Sequence, residues 1–282
     1  MNIAKTQPRW TDLKTRIQRH YDIAAPLYQS LWGVHIHHGY WLDGTESKET
    51  AQEQLVQNLA VYAQIRKGSR ILDVGSGFGA SAKYLAERFN ARVVGINISV
   101  RQVEIAKAIT ARCEPPPLFV VSDAEYPSIA SEFDFVWSIE TISHIPDKRN
   151  CFERLLDLLV PNGRIAIIDW FQAEGLNRQG EVRYIEPIVR QMLLPELSTL
   201  TSYANTLRDL GCCILTMQDM SPFVAKTWDV CLELTDIPFI WKFAYSHGSD
   251  FVSFLRGFRA MKQGFDSGAF RCGMFIAEKC RL

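Results

Sequence analysis

The sequence has no excess of charge of either sign: 31 Lys and Arg stand against 31 Asp and Glu, for a formal net charge of zero. It therefore lacks the electrostatic footprint of a nucleic-acid or anionic-membrane binder, and no nucleic acid is expected as a partner. No apolar run approaches the roughly 18 residues of a membrane span, so no stable membrane insertion is expected. The opening MNIAKTQPRW lacks the apolar stretch and small-residue cleavage site of a secretory signal. Seven cysteines form no C-x-x-C pair and no zinc spacing. An odd count without a secretion signal reads as reduced, mostly buried thiols in a cytoplasmic protein. There is no internal repeat and no low-complexity segment.

What is present is ordinary globular material: 282 residues, 47% hydrophobic and 22% charged, enough to bury a full core. Residues 10–32 carry Leu13, Ile17, Tyr21, Ala24, Tyr28 and Leu31 at helical spacing, and a second helical stretch covers 48–66. From position 69 the period changes. Short apolar strands at 70–75, 91–98, 117–123, 133–139 and 163–171 alternate with helices at 80–89, 99–112 and 147–160. Pro161-Asn162-Gly163 supplies the last helical stop. This alternation predicts an α/β fold with a doubly wound, mostly parallel sheet. Further on, 183–210 reads as helical, 212–219 as a strand, 222–262 as helical and 269–279 as a strand. The two late strands predict an antiparallel hairpin with a helical insertion between them. The expected organisation is an N-terminal helical lid (1–66), a cofactor-binding core (67–171), and a cap insertion with the hairpin (172–282).

LDVGSGFGA (72–80) lies where the first strand meets the first helix of this core. Its glycines let a ligand approach the backbone and the helix N-terminus. The glycine pattern alone also satisfies a dinucleotide site. Asp73, two residues before Gly75, discriminates, because a carboxylate there repels a pyrophosphate and suits a cation. S-adenosyl-L-methionine carries an ammonium and a sulfonium and no phosphate. The second strand also ends in Asn97, where a dinucleotide fold usually places an acid.

Several co-linear stretches resemble the class I methyltransferases, and among them the tocopherol methyltransferase-like enzymes of natural-product metabolism. They are YDIAAPLYQSLWGVHIHHGYW (21–41), RILDVGSGFGA (70–80), GINISVRQVEIAKA (95–108), ISHIPDKRNCFERLL (142–156), PNGRIAIIDWF (161–171) and GAFRCGMFIAEK (268–279). The resemblance implies the Rossmann-like class I methyltransferase fold and S-adenosyl-L-methionine as cofactor. It places Asp73, Gly75, Ser76 and Gly77 at the methionine part, with Tyr21 and Tyr40 closing that end. Asn97, Ile98 and Gln102 face the ribose and adenine, Asp123 and Ala124 the adenine amino group, and Ser138 the cofactor from the fourth strand.

His144 follows the fourth strand and Asp169 ends the fifth, at the carboxyl edge of the sheet where such folds bind ligands. A histidine can take the proton of a hydroxyl or amine, and a carboxylate can fix its tautomer. Similar sugar O-methyltransferases use a His and an Asp at these places, which implies a base pair of His144 and Asp169. His144 packing on the cofactor or capping the next helix is the alternative. Glu140 is a third catalytic candidate, touching the cofactor or stabilising a cation. His35, His37 and His38 invite a metal, but three histidines in four residues cannot all face one ion from a regular element, and none is expected. The insertion carries Phe223, Trp228, Phe239, Trp241, Phe243, Tyr245, Phe251, Phe254 and Phe258. Part of that stripe is packing, and the rest favours a small aromatic or terpenoid acceptor. Trp241 and Phe254 are singled out as pocket walls. Methylation of O or N, methylation of C, and a non-methylating cyclase or binding descendant all stay open; an oxidoreductase is the rival outside the class.

Overall fold

The computed structural model describes residues 7–130 and 132–280. Helices α1 (Gln7–Leu31) and α2 (Lys48–Ala63) precede the alternating core. The core runs β1 (Arg70–Val74), α3 (Ala80–Phe89), β2 (Arg92–Asn97), α4 (Val100–Thr110), β3 (Leu118–Val121), β4 (Phe133–Ile139), α5 (Lys148–Asp157) and β5 (Leu159–Gln172). Then follow α6 (Arg178–Gly180), a π turn (Glu181–Ile185), α7 (Glu186–Gln191), α8 (Leu200–Asp209) and β6 (Cys212–Asp219). Last come α9 (Ser221–Val224), α10 (Thr227–Leu234), α11 (Pro238–His247), α12 (Ser249–Ser267) and β7 (Phe270–Lys279).

The seven strands form one sheet in the order β3-β2-β1-β4-β5-β7-β6. β1 pairs in parallel with β2 and β4, while β7 is antiparallel to both β5 and β6. The expected late hairpin is therefore real, with four helices, α9 to α12, lying between its strands in sequence. Central strands are apolar on both faces because helices cover both. Successive side chains alternate: Ile168 and Trp170 enter the core shared with α10 and α12, and Ile167 and Phe171 the core shared with α5 and α8. Helix starts are fixed by side chains, since Ser47, Ser99, Asp147 and Thr199 each accept a backbone N–H of the first turn.

Three expectations need correction. α5 stops at Asp157, and β5 begins before the Pro161-Asn162-Gly163 turn, because Leu159 already pairs with Phe133 across a bulge. The 183–210 segment is broken between Gln191 and Leu200, where Leu193 takes a left-handed φ of 54°. The cysteines are not all free. Cys213 and Cys280 form a disulfide across the β6–β7 edge, which a sequence separation of 67 conceals, while Cys113, Cys151, Cys212, Cys231 and Cys272 are free and buried. Among the described residues no helix is long and apolar enough to cross a membrane.

α1 lies across the carboxyl edge of the sheet and is pinned at three points. Lys14 bonds Asp123 at 2.6 Å and also pairs with Glu125. Arg16 makes two hydrogen bonds to Asp250 of α12, at 2.8 and 3.0 Å. Asp22 accepts from the Ser99 hydroxyl at 2.5 Å and from the Arg101 N–H at 3.1 Å.

Candidate active site

The turn after β1 shapes the first cleft. Gly75 has φ 75°, and a Cβ there would fall 2.0 Å from the Thr141 hydroxyl oxygen, so both sterics and conformation demand glycine. Gly77, at φ 52°, leaves its missing side chain's place open to the cleft, with Ile36 3.9 Å away. Tyr21, Gly75, Gly77, Asn97, Ile98 and Gln102 line this cleft, as do Asp123, Ala124, Glu140 and His144. Lys14 and Thr141 line it too; no motif marked them, since both are common residue types brought in by α1 and the loop after β4.

Polar atoms around the glycine turn are left without partners among the described residues: Asp73 Oδ2, Ser76 Oγ and Gln102 Nε2. Burial pushes the Asp73 carboxyl up to about 7, because nothing near it compensates its charge. A ligand ammonium would supply the missing compensation, whereas a diphosphate would add to the repulsion. The residues present therefore fit S-adenosylmethionine. Asn97 uses its amide inside the protein, accepting from the Ser99 N–H at 2.9 Å and donating to Gln102 Oε1 at 2.8 Å. This leaves the Gln102 amide nitrogen as the free donor at the end of β2. Asp123 lines the cleft, but its two oxygens already accept from Lys14 and from the Glu125 N–H.

Four expected cofactor residues are not among those lining the cleft: Asp73 and Ser76 are buried in β1 and the turn that follows it, and Tyr40 and Ser138 stand elsewhere. Tyr40 stacks on Phe223, with ring centroids 4.7 Å apart, and is not among the residues lining the cleft. Ser138 is fully buried and donates to the Val74 carbonyl at 3.1 Å, tying β4 to β1.

A second, larger cavity of about 1130 Å³, its mouth included, opens beside the first and is overwhelmingly apolar. Tyr28, Trp170, Trp228, Phe251, Phe254 and Phe258 are among its walls. Of the aromatic stripe, Phe243 joins them, but Phe239 and Tyr245 are exposed and Phe223 belongs to Tyr40. Trp241 is corrected as well: its indole N–H donates to the Thr235 carbonyl at 2.7 Å, and the ring lies outside the wall. Ile17, Tyr21, Ile36, Glu140 and His144 line both spaces, so the two meet at these side chains.

His144 ends the one-turn helix Ile142–His144 after β4. Its Nδ1 faces the Leu193 carbonyl at 3.4 Å, and its Nε2 is buried without a partner among the described residues. Burial lowers its pKa to about 4, so the ring is neutral at physiological pH. The expected pairing with Asp169 is not formed. Asp169 accepts from the Ser143 N–H at 2.7 Å, the Trp170 N–H at 2.8 Å and the Tyr203 hydroxyl at 3.3 Å. The physical reason is strand alternation: Asp169 points to the α5–α8 side, and only its neighbour Trp170 reaches the side where His144 packs. Asp169 thus holds the turn that carries His144, at one remove.

Glu140 has the partner that His144 lacks. Its φ of 53° is a left-handed strain for a residue with a side chain. Glu140 Oε1 accepts from the His38 N–H at 2.9 Å and faces His38 Nδ1 at 2.6 Å. Burial alone would raise the Glu140 carboxyl, but the charge and hydrogen bonds of His38, with His37 behind, hold it below the usual range. The other two histidines serve the loop: His35 Nδ1 lies 3.0 Å from His37 Nε2, and His37 Nδ1 donates to the His38 carbonyl at 2.7 Å. The three rings do not converge on a common point. Tyr21 stands edge-on to His144, centroids 6.3 Å apart, its hydroxyl pushed up to about 12 by burial and then by the Glu140 charge.

Residues 9–233 match the family described as mycolic acid cyclopropane synthetase. The chain is 33% identical over 224 residues to the 27-O-demethylrifamycin SV methyltransferase of Amycolatopsis mediterranei (strain S699), covering 77% of this chain and 80% of that relative. It is 27% identical over 291 residues to the chloroplastic tocopherol O-methyltransferase of Arabidopsis thaliana, covering 95% and 82%. Among solved structures it resembles the [4+2]-cyclase SpnF, with a TM-score of 0.83 at 22% identity over 95% of this chain and 96% of that one. That last likeness concerns the fold alone.

Proposed function

The chain belongs to the mycolic acid cyclopropane synthetase family and is an S-adenosylmethionine-dependent methyltransferase, and from that premise we propose that it methylates an oxygen or nitrogen of a small, largely apolar natural product. The observation that carries the reading is the shared wall. A cleft edged by polar side chains and suited to a cationic nucleoside, and an aromatic cavity suited to an apolar acceptor, meet at Tyr21, Glu140 and His144. Two relatives, named for 27-O-demethylrifamycin SV and for tocopherol O-methylation, support an acceptor of that kind. In this reading residues 1–66 form a lid, 67–171 the cofactor core, and 172–282 the acceptor's walls.

S-adenosylmethionine, when bound, supplies an electrophilic methyl group on a sulfonium. Asp73 would balance its ammonium, Gln102 Nε2 would donate to a ribose hydroxyl, and Asp123 with Ala124 would border the adenine. Ile17, Ile36 and Tyr21 exclude water from the meeting point and orient the acceptor. His144, neutral above about pH 4, would take the acceptor's proton on Nε2 as the heteroatom–methyl bond forms and the methyl–sulfur bond breaks, with S-adenosylhomocysteine as the leaving product. A second reading, methylation of a carbon in an isoprenoid or electron-rich ring, is favoured by one observation. The Glu140 carboxylate and the aromatic walls surround the place where a cation would develop.

The test is His144→Ala with methyl-labelled cofactor and a panel of hydroxylated aromatic and terpenoid acceptors. Loss of turnover by about 10²- to 10⁴-fold, with S-adenosylhomocysteine affinity kept within about threefold, is the expected result. Near-full activity of the variant would select carbon methylation. Label that never leaves the cofactor with any acceptor would defeat both.

A further inference from the structure

The acceptor cavity has a polar point besides His144. His38 Nδ1 lies 2.6 Å from Glu140 Oε1, and an ionised carboxylate only accepts. In the neutral imidazole the proton of that bond sits on Nδ1, which the Trp170 indole N–H also approaches at 3.4 Å, and Nε2 keeps its lone pair. His38 Nε2 is buried and has no partner among the described residues. Trp228 packs edge-on against the same ring, with centroids 5.2 Å apart and planes at 76°. Its indole N–H is also buried and unpartnered among the described residues. Both rings line the cavity.

One orphaned acceptor and one orphaned donor thus stand on touching rings in a largely apolar space, whose other unpartnered nitrogens, His20 Nδ1 and His144 Nε2, lie on separate side chains. Buried polar atoms are normally satisfied, and a pair left open in a pocket marks where a ligand group completes them. A single hydroxyl completes both, giving its proton to His38 Nε2 and accepting the Trp228 N–H. A carbonyl or ether completes Trp228 alone, and an ammonium His38 alone.

We infer that the acceptor carries a hydroxyl which the cavity recognises through His38 and Trp228, with Glu140 fixing the imidazole tautomer. The inference rests on the reading of this cavity as the acceptor site and adds a specificity element to it. Glu140 lines both spaces, so the same carboxylate that orients His38 also faces the cofactor cleft. Recognition of the acceptor's hydroxyl is thereby coupled to the meeting point through one side chain.

The test is binding, and needs no turnover. The full chain, saturated with S-adenosylhomocysteine, is titrated calorimetrically with 2-naphthol, 2-methoxynaphthalene and naphthalene. The expected order puts 2-naphthol about tenfold tighter than either of the others, one well-made hydrogen bond's worth of discrimination. His38→Phe and Trp228→Phe should each erase most of that preference while holding naphthalene affinity within about threefold, which reports an intact cavity. Glu140→Gln, whose amide oxygen still accepts from Nδ1–H, should retain it. Equal affinity for all three compounds in the unaltered protein overturns the inference, as does a preference that survives His38→Phe. His38, Glu140 and Cys272 also offer donor atoms within 4.8 Å of one another, so a preference abolished by chelator would make His38 a metal ligand and equally overturn it. Failure of all three compounds to bind would instead remove the acceptor-cavity reading itself.

Discussion

Replacing Asp73 by Asn isolates the charge on which the cofactor cleft is built. The two side chains are nearly isosteric, so the turn after β1 should survive. Without ligand, Asp73 is buried beside the glycine turn, and burial pushes its carboxyl up to about 7 from an ordinary 3.8. A carboxyl raised in this way contributes stability that is complete below the ordinary value and disappears as pH rises through the folded one. Keeping it ionised at pH 8 therefore destabilises the ligand-free protein by up to about 4 kcal/mol, from roughly three units at 1.36 kcal/mol each. Asn carries no such penalty. Without ligand, Asp73→Asn should be the more stable protein at pH 8, with the gap closing towards pH 4.

With ligand the order reverses. Only the ionised form of Asp73 balances an ammonium, so affinity for S-adenosylhomocysteine should rise about tenfold between pH 6 and pH 8, as a group titrating near 7 requires. Asp73→Asn should bind at least about tenfold more weakly at pH 8 and show little of that slope. Calorimetric titration across pH 6–8 and thermal unfolding with and without S-adenosylhomocysteine measure both arms. An Asn variant with unchanged affinity, or one less stable than the parent in the absence of ligand at pH 8, would refute the electrostatic argument.

Three further outcomes follow from particular contacts. Phe254→Ala, which opens the acceptor wall beside His20, should raise the KM for the acceptor while leaving that for the cofactor within about twofold, and Trp241→Ala should change neither; steady-state kinetics decide it. Asp169→Asn should cost about 1–3 kcal/mol of stability by urea unfolding, because it weakens the acceptor for the buried Ser143 and Trp170 N–H groups. Its rate loss should be much smaller than that of His144→Ala, and an equal loss would restore the two as a working pair. Lys14→Met, which releases α1 from Asp123 and Glu125, should speed dissociation of S-adenosylhomocysteine in stopped-flow measurements; an unchanged rate would mean that the helix does not gate the cleft.

The fold was legible because its signals are local. Five apolar strands, the glycine turn and each of the two late strands declare themselves within about ten residues, and side-chain alternation then assigns their two faces. The glycine cleft was legible for the same reason, since Asp73, Gly75 and Gly77 sit at the end of β1, Asn97 ends β2, and Gln102 lies in the first turn of α4. Tyr40 and Trp241 were less so. An aromatic residue reads alike whether its ring faces a cavity or a neighbour, and the stack on Phe223 and the bond to the Thr235 carbonyl depend on contacts that no period encodes.

The misplaced base pair shows where spacing stops being informative. His144 and Asp169 lie at the same edge of the sheet, and proximity along that edge suggests a bond. A strand, however, sends consecutive residues to opposite faces, and Trp170 rather than Asp169 has the parity to reach His144. The carboxylate that does reach a histidine leaves the strand altogether. Glu140 sits one residue past β4 with φ at 53°, and its side chain meets His38 102 positions earlier in the chain. Such a partner lies outside any local pattern, because a left-handed turn redirects it. The strain at Glu140 is sustained by what it holds: two hydrogen bonds from His38 and its own N–H on the Ile168 carbonyl. A backbone outlier at the junction of two cavities is therefore the structural counterpart of the glycine turn, one opening space for the cofactor, the other placing a charge beside it.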